Sequence, residues 1–158
     1  MENTNILLKD FKKGFHSLIL STLDDDKEPY TSYAPFIYLN GFYYFIISKM
    51  AKHYKNITKH PNMSVMMIED EAMTDNIFFR KRLSYQGIST PDINDSDVLS
   101  AFVDKHGIIV KTLMDMDFSI VRFKITNGIF NIGPGKAYII DENEQINTHM
   151  TTPHQKRS

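Results

Sequence analysis

Short apolar runs separated by turn signals dominate this chain, a pattern of strands closed into a small barrel rather than of long helices. Thr4 to Lys13 is an early helical stretch, with Ile6, Leu7 and Phe11 as its expected buried edge and Gly14 just past its end. Phe15 to Leu23 reads as a strand that stops at the acidic turn Asp24-Asp25-Asp26-Lys27. Tyr30 to Leu39 and Phe42 to Ser48 flank Asn40-Gly41, a hairpin turn whose two positions tolerate positive φ. The second arm, Phe42-Tyr43-Tyr44-Phe45-Ile46-Ile47, is apolar on both faces and predicts a barrel wall covered on both sides.

Ser48 then has the chemistry of an N-cap for a helix from Lys49 to about Lys59, ended by His60-Pro61. On that helix Met50, Tyr54 and Ile57 share one face, while Lys49, Lys52, Lys55 and Lys59 share the other with Asn56. Met63 to Glu69 and Ile77 to Gly87 read as strands joined by a polar linker. A helix from about Asp97 to Lys105 follows, capped by Asp95 or Ser96, then a further helical turn over Ile108 to Met114. Phe118 to Ile125 and Ile129 to Ile132 flank Asn127-Gly128 and predict a second hairpin. The outgoing strand breaks at Gly133-Pro134-Gly135 and resumes over Ala137 to Ile140, after which Asn143 to Ser158 is polar and without period. The pattern predicts a mainly β antiparallel barrel with peripheral helices, one domain over residues 1–142 and a tail over 143–158. Few of the strands alternate cleanly, which favours closure or a dimer over an open sheet.

Composition narrows the chemistry. Cysteine is absent, which removes disulfides, zinc ribbons, iron–sulfur clusters, thiolate-ligated heme and any Cys nucleophile. Lys plus Arg number 18 against 19 for Asp plus Glu, and a net charge of -1 argues against a nucleic-acid coat. The most apolar window, Phe36 to Ile47, is far shorter than the ~20 residues a spanning helix needs. Lys9 and Asp10 interrupt the start where a signal peptide would be apolar. The expectation is a cytoplasmic protein without a membrane or nucleic-acid partner.

Three features carry candidate chemistry. The lysines of the Lys49–Lys59 helix suit phosphate or carboxylate groups, and equally form the solvated side of an amphipathic helix. In Phe79-Arg80-Lys81-Arg82-Leu83, strand geometry sends Arg80 and Arg82 to one face as a clamp for an anion. Lys81 would then share an apolar face with Ile77, Phe79, Leu83 and Tyr85. No His-x-x-x-His exists; His53 and His60 are too far apart for one metal, and His16 and His106 sit at element ends. His149 and His154 lie in the tail, where one imidazole suffices to ligate a heme iron. No Gly-x-Ser-x-Gly, P-loop or Gly-x-Gly-x-x-Gly appears.

The order of Pro29 to Phe36, Ser48-Lys49-Met50-Ala51-Lys52-His53-Tyr54-Lys55-Asn56, Arg80 to Gly87, Asp117-Phe118 to Arg122 and Gly133-Pro134-Gly135-Lys136-Ala137-Tyr138 carries a resemblance. From about Phe15 onward the chain resembles the heme-utilisation (HugZ/HutZ-type) branch of the pyridoxamine-phosphate-oxidase-like, FMN-binding split barrels. The resemblance implies a homodimeric, six-stranded antiparallel split β-barrel with ligand sites at the subunit seam. It implies a heme-degrading oxygenase that uses dioxygen and an external electron donor and releases iron. By position His154 would be the axial ligand, with His149 as its rival, and Asp117 would hydrogen-bond to it. Arg80, Lys81 or Arg82 would meet heme propionates or bound dioxygen, with Arg82 also catalytic, and Lys136 would join the cofactor site. Two other functions share the fold. In an FMN-dependent oxidoreductase, Ser48, Lys49, Lys55 and the Arg80–Arg82 segment would hold the flavin phosphate; a non-catalytic heme carrier would use the heme ligands alone. The chain departs from the family in having Pro134 between the paired glycines, where an aromatic is common.

Overall fold

The computed structural model describes residues 2–150, in the order α1 (Glu2–Lys12), β1 (Ser17–Leu23), β2 (Pro29–Leu39), β3 (Phe42–Ser48), α2 (Lys52–Lys59), β4 (Asn62–Ile68), β5 (Arg82–Thr90), α3 (Ser96–His106), α4 (Ile109–Asp115), β6 (Phe118–Asn131), β7 (Ala137–Ile140) and β8 (Ile146–Met150). Every strand pairing is antiparallel, in the order β3-β2-β1-β4-β5-β6, and β6 closes back onto β3. Six strands therefore make a closed antiparallel barrel, the closure that the pattern predicts and the strand number that the resemblance implies. The hairpin β7–β8 extends the sheet from the far half of β6.

The two-sided apolar arm explains the layering. Tyr43, Phe45 and Ile47 of β3 point into the barrel core with Leu18, Leu20, Val65, Leu83, Tyr85 and Phe123. Tyr44 and Ile46 point outward against Val98 and Phe102 of α3 and Val110 of α4. Asn40 (φ +52°) and Gly41 (φ +86°) supply the left-handed turn between β2 and β3. In β1, β4 and β5 burial does alternate, residue by residue. The alternation is hidden in the sequence because outward positions such as Ile19, Met66 and Ile88 are also apolar.

Several local expectations are corrected. The α1 residue that is buried is Leu8, while Ile6 and Leu7 are about half exposed. Ser48 does not cap a helix at Lys49, because it still belongs to the ladder opposite Phe118 and its Oγ accepts from Met50 N at 3.1 Å. The helix begins only at Lys52, after a turn that leaves Met50 exposed. Asn56, expected among the lysines, is buried and donates from Nδ2 to Thr22 Oγ1 at 3.0 Å. No strand runs through Ile77 to Lys81: Asn76 Oδ1 accepts from Phe78 N and starts a single 3-10 turn over Ile77–Phe79. Asn127-Gly128 is not a hairpin turn either. β6 continues through it for 14 residues, with a register shift against β5 beside it, and Gly128 lies over the Tyr85 ring and leaves room for the interior to close. Finally, the aperiodic tail contains β8, which pairs with β7.

Candidate functional site

The long strand β6 separates the residues singled out in the sequence into two groups. At its start, Ser48 pairs with Phe118, and Lys49 N donates to Asp117 O at 2.7 Å. Asp92 joins this group in a left-handed conformation (φ +60°), held by Ser119, whose Oγ accepts from Asp92 N and donates to Asp92 Oδ1, both at 2.9 Å. Tyr54 OH donates to Asp92 Oδ2 at 2.9 Å, which with the carboxylate charge raises the phenol pKa. Lys49 Nζ lies 3.8 Å from Asp92, Lys52 3.8 Å from Asp24 and Lys59 3.3 Å from Asp25. Lys55 has no carboxylate in ion-pair range among the described residues. The cationic face of α2 is thus largely matched by fixed acids, and the side chain of Asp117 is exposed beside them.

At the other end of β6, Arg82 stands opposite Asn131, which stands opposite Ala137 and so beside Met150. A cavity of about 520 Å³ opens here, walled by Phe78, Phe79, Pro134 and Met150, with Arg82 and Lys136 also lining it. Neither cation has a carboxylate in ion-pair range among the described residues. Arg82 Nη1 donates to the Arg80 carbonyl at 3.1 Å, which orients the guanidinium. The expected clamp of Arg80 with Arg82 does not form. Arg80 instead folds back, Nε and Nη2 donating to Glu69 O at 3.0 and 2.6 Å, with Nη1 3.4 Å from Glu71. Lys81 lies before the strand and is exposed rather than set in an apolar face.

The histidines divide as well. His106 Nε2 bonds the Phe36 carbonyl at 2.8 Å, a structural contact. His149 stacks on Tyr138 and its Nε2 donates to Gly135 O at 2.6 Å, so that nitrogen is committed to the glycine loop. His154 lies outside the described residues. A larger cavity, about 920 Å³ between α1 and α3, is lined by none of the candidate site residues named from the sequence. It borders Glu144, which sequence reasoning leaves in the polar tail. One signal for it exists: Tyr43 and Tyr85 sit in the barrel interior, and buried phenols require acceptors.

Residues 6–130 match the pyridoxamine 5'-phosphate oxidase family. Among curated proteins, heme oxygenase HutZ of Vibrio cholerae is 32% identical over 157 residues, spanning 96% of this chain and 89% of HutZ. The chain belongs to the heme-utilisation branch of the pyridoxamine 5'-phosphate oxidase-like split barrels. Among solved members of this branch, Campylobacter jejuni ChuZ superposes with a TM-score of 0.88 at 29% identity, over 99% of this chain and 67% of ChuZ. The crystal structure of HutZ, there described as a heme storage protein, gives 0.70 at 29% identity over 84% of this chain and 91% of its own. No helix among the described residues is long and apolar enough to cross a membrane.

Proposed function

We propose that this chain binds heme at a seam between two copies and opens it oxidatively, using dioxygen and an external electron donor and releasing iron. The observation that carries the reading is the cavity at the end of β6. Apolar walls from Phe78, Phe79, Pro134 and Met150 suit a flat macrocycle, and Arg82 and Lys136, free of carboxylates there, suit its propionates. Met150 is also where the segment bearing His154 departs, and four residues span at most about 14 Å. Heme, when bound, would supply the redox chemistry; His154 would hold it, and Asp117 would fix the tautomer of that imidazole.

Asp117 and Met150 lie at opposite ends of a strand about 45 Å long if straight, so the Asp117 that meets His154 belongs to a second copy. The outer face supports pairing. Tyr33, Ile19, Met66, Ser84, Ile129 and Ile139 stand opposite one another in a single row across six strands. Tyr33, Ile19, Ile129 and Ile139 are each more than a third exposed, and the next row holds Ile68, Arg82, Asn131, Ala137 and Met150. A homodimer closed on the apolar row brings Arg82 to its seam.

The flavin alternative is less favoured by the same geometry. Ser48 and Lys49 share their corner with the carboxylates of Asp92 and Asp117, and these would repel a phosphate. The deciding experiment is titration of cofactor-free protein with hemin, then ascorbate in air with catalase present. A saturating Soret shift at one heme per subunit, followed by bleaching and chelatable iron, is expected. Saturation without bleaching would leave a carrier, and no saturable shift in a protein that purifies yellow would return the flavin reading.

A further inference from the structure

We propose that Glu144 is the anchor of the β7–β8 hairpin and thereby a positioning residue for the C-terminal segment; this rests on the reading of His154 as heme ligand. Glu144 Oε1 accepts three hydrogen bonds, from Tyr85 OH at 2.5 Å, Tyr43 OH at 2.6 Å and Lys12 Nζ at 2.6 Å. Its side chain is only 10% exposed, and Tyr43 and Tyr85 are buried in the barrel. One carboxylate thus joins three parts of the molecule: α1, the interior of the barrel and the turn between β7 and β8. Burial, reinforced by the neighbouring carboxylate, raises both phenol pKa values, so the hydroxyls remain donors.

The hairpin needs such an anchor. Among the described residues β8 has a ladder partner on one side only, and a two-stranded hairpin is marginal by itself. Its turn is wound locally by Asp141, whose Oδ1 accepts from Asn143 N and Gln145 N at 2.9 Å. That wraps the turn without attaching it to the barrel. Glu144, in a left-handed conformation (φ +57°), is the turn residue that reaches the barrel interior. Next to it Ile146 N donates to Asn5 Oδ1 of α1 at 2.9 Å, and Ile146 is buried. At the far end His149 Nε2 ties β8 to the Gly133–Gly135 loop. Between these ties the chain has a fixed course to Met150, in the wall of the cavity that holds Arg82. Where Met150 is held decides where a residue four positions later can reach.

Glu144→Gln is the test, since the amide oxygen still accepts from the phenols while the charge toward Lys12 is lost. In the full-length protein, hydrogen exchange of peptides over 146–150 is expected to accelerate, with β4 and β5 peptides unchanged. Hemin affinity is expected to fall about tenfold, the scale of one charge-assisted hydrogen bond. Exogenous imidazole should restore the ligand spectrum, and the loss should vanish in a His154→Ala background. Unchanged exchange over 146–150 overturns the anchor. Faster exchange with wild-type hemin affinity, where His154→Ala does lose affinity, overturns the positioning role. A His154→Ala protein with wild-type affinity and spectrum refutes the ligand reading itself, and the exchange data then still judge the anchor. Should Glu144→Gln fail to fold, Lys12→Met loosens the same tie from the α1 side and is held to the same outcomes.

Discussion

Gly128 shows how much a single position decides. A Cβ there would enter the Tyr85 ring and fall 2.6 Å from the Ser84 carbonyl oxygen, so β6 and β5 approach only because the side chain is absent. Gly128→Ala is expected to destabilise the barrel by about 2 kcal/mol, read as a lower urea midpoint at constant m-value. His53 is a second such position. Its Nδ1 lies 2.8 Å from Ser32 Oγ, and partial burial lowers its pKa below the ordinary 6.5. The unfolded chain takes up this proton near pH 6.5 while the folded chain resists it, so stability falls as pH falls through that value. The decrease in Tm from about pH 7.5 to about pH 5.5 should therefore be smaller in His53→Gln than in the wild-type protein.

At the scale of elements, helix α3 illustrates agreement between local and tertiary signals. Asp95 Oδ1 accepts from Asp97 N at 2.8 Å and Val98 N at 3.3 Å, one of the two caps expected from sequence, and Gly107 (φ +93°) follows its end. The cap aims Val98 and Phe102 at the outer face of β3. Asp95→Ala should cost about 1 kcal/mol in chemical denaturation, while the barrel pairings are kept. β6 illustrates the opposite case. Its Asn-Gly pair has strong hairpin character locally, yet β5 pairs with the strand on both sides of it, and a register shift at Gln86/Gly87 absorbs the bend instead. A local turn preference of this size yields to a ladder that runs on both sides of it.

For the whole molecule, the row from Tyr33 to Ile139 is the feature with the largest consequence. In this row isoleucines stand exposed on β1, β6 and β7, an apolar surface that pairing with a second copy would cover. Ile129→Lys is expected to convert a dimer to a monomer by light scattering, with the far-ultraviolet spectrum unchanged. On the proposed reading hemin affinity should fall with it, because Arg82 and Asp117 would then meet one ligand only across two copies. A variant that remains dimeric would move the interface elsewhere.

The sequence by itself determined the strand-dominated class, the Asn40-Gly41 hairpin, the two-sided β3 and the helix pair, since each rests on short-range pattern or turn chemistry. The ordered motifs from Pro29 to Tyr138 also carried the family. Contacts between distant segments decided the rest. Arg80 turned out to be bound by Glu69, three helix-side lysines by Asp92, Asp24 and Asp25, and Asn56 by Thr22. Ser48 continues a strand instead of opening a helix because Phe118 lies opposite it. Nothing local marks Glu144 within its polar stretch, because its meaning depends on two phenols 59 and 101 residues away. Periodicity reports which face of an element is apolar; only the closed barrel decides which charges meet and which stay free for a ligand.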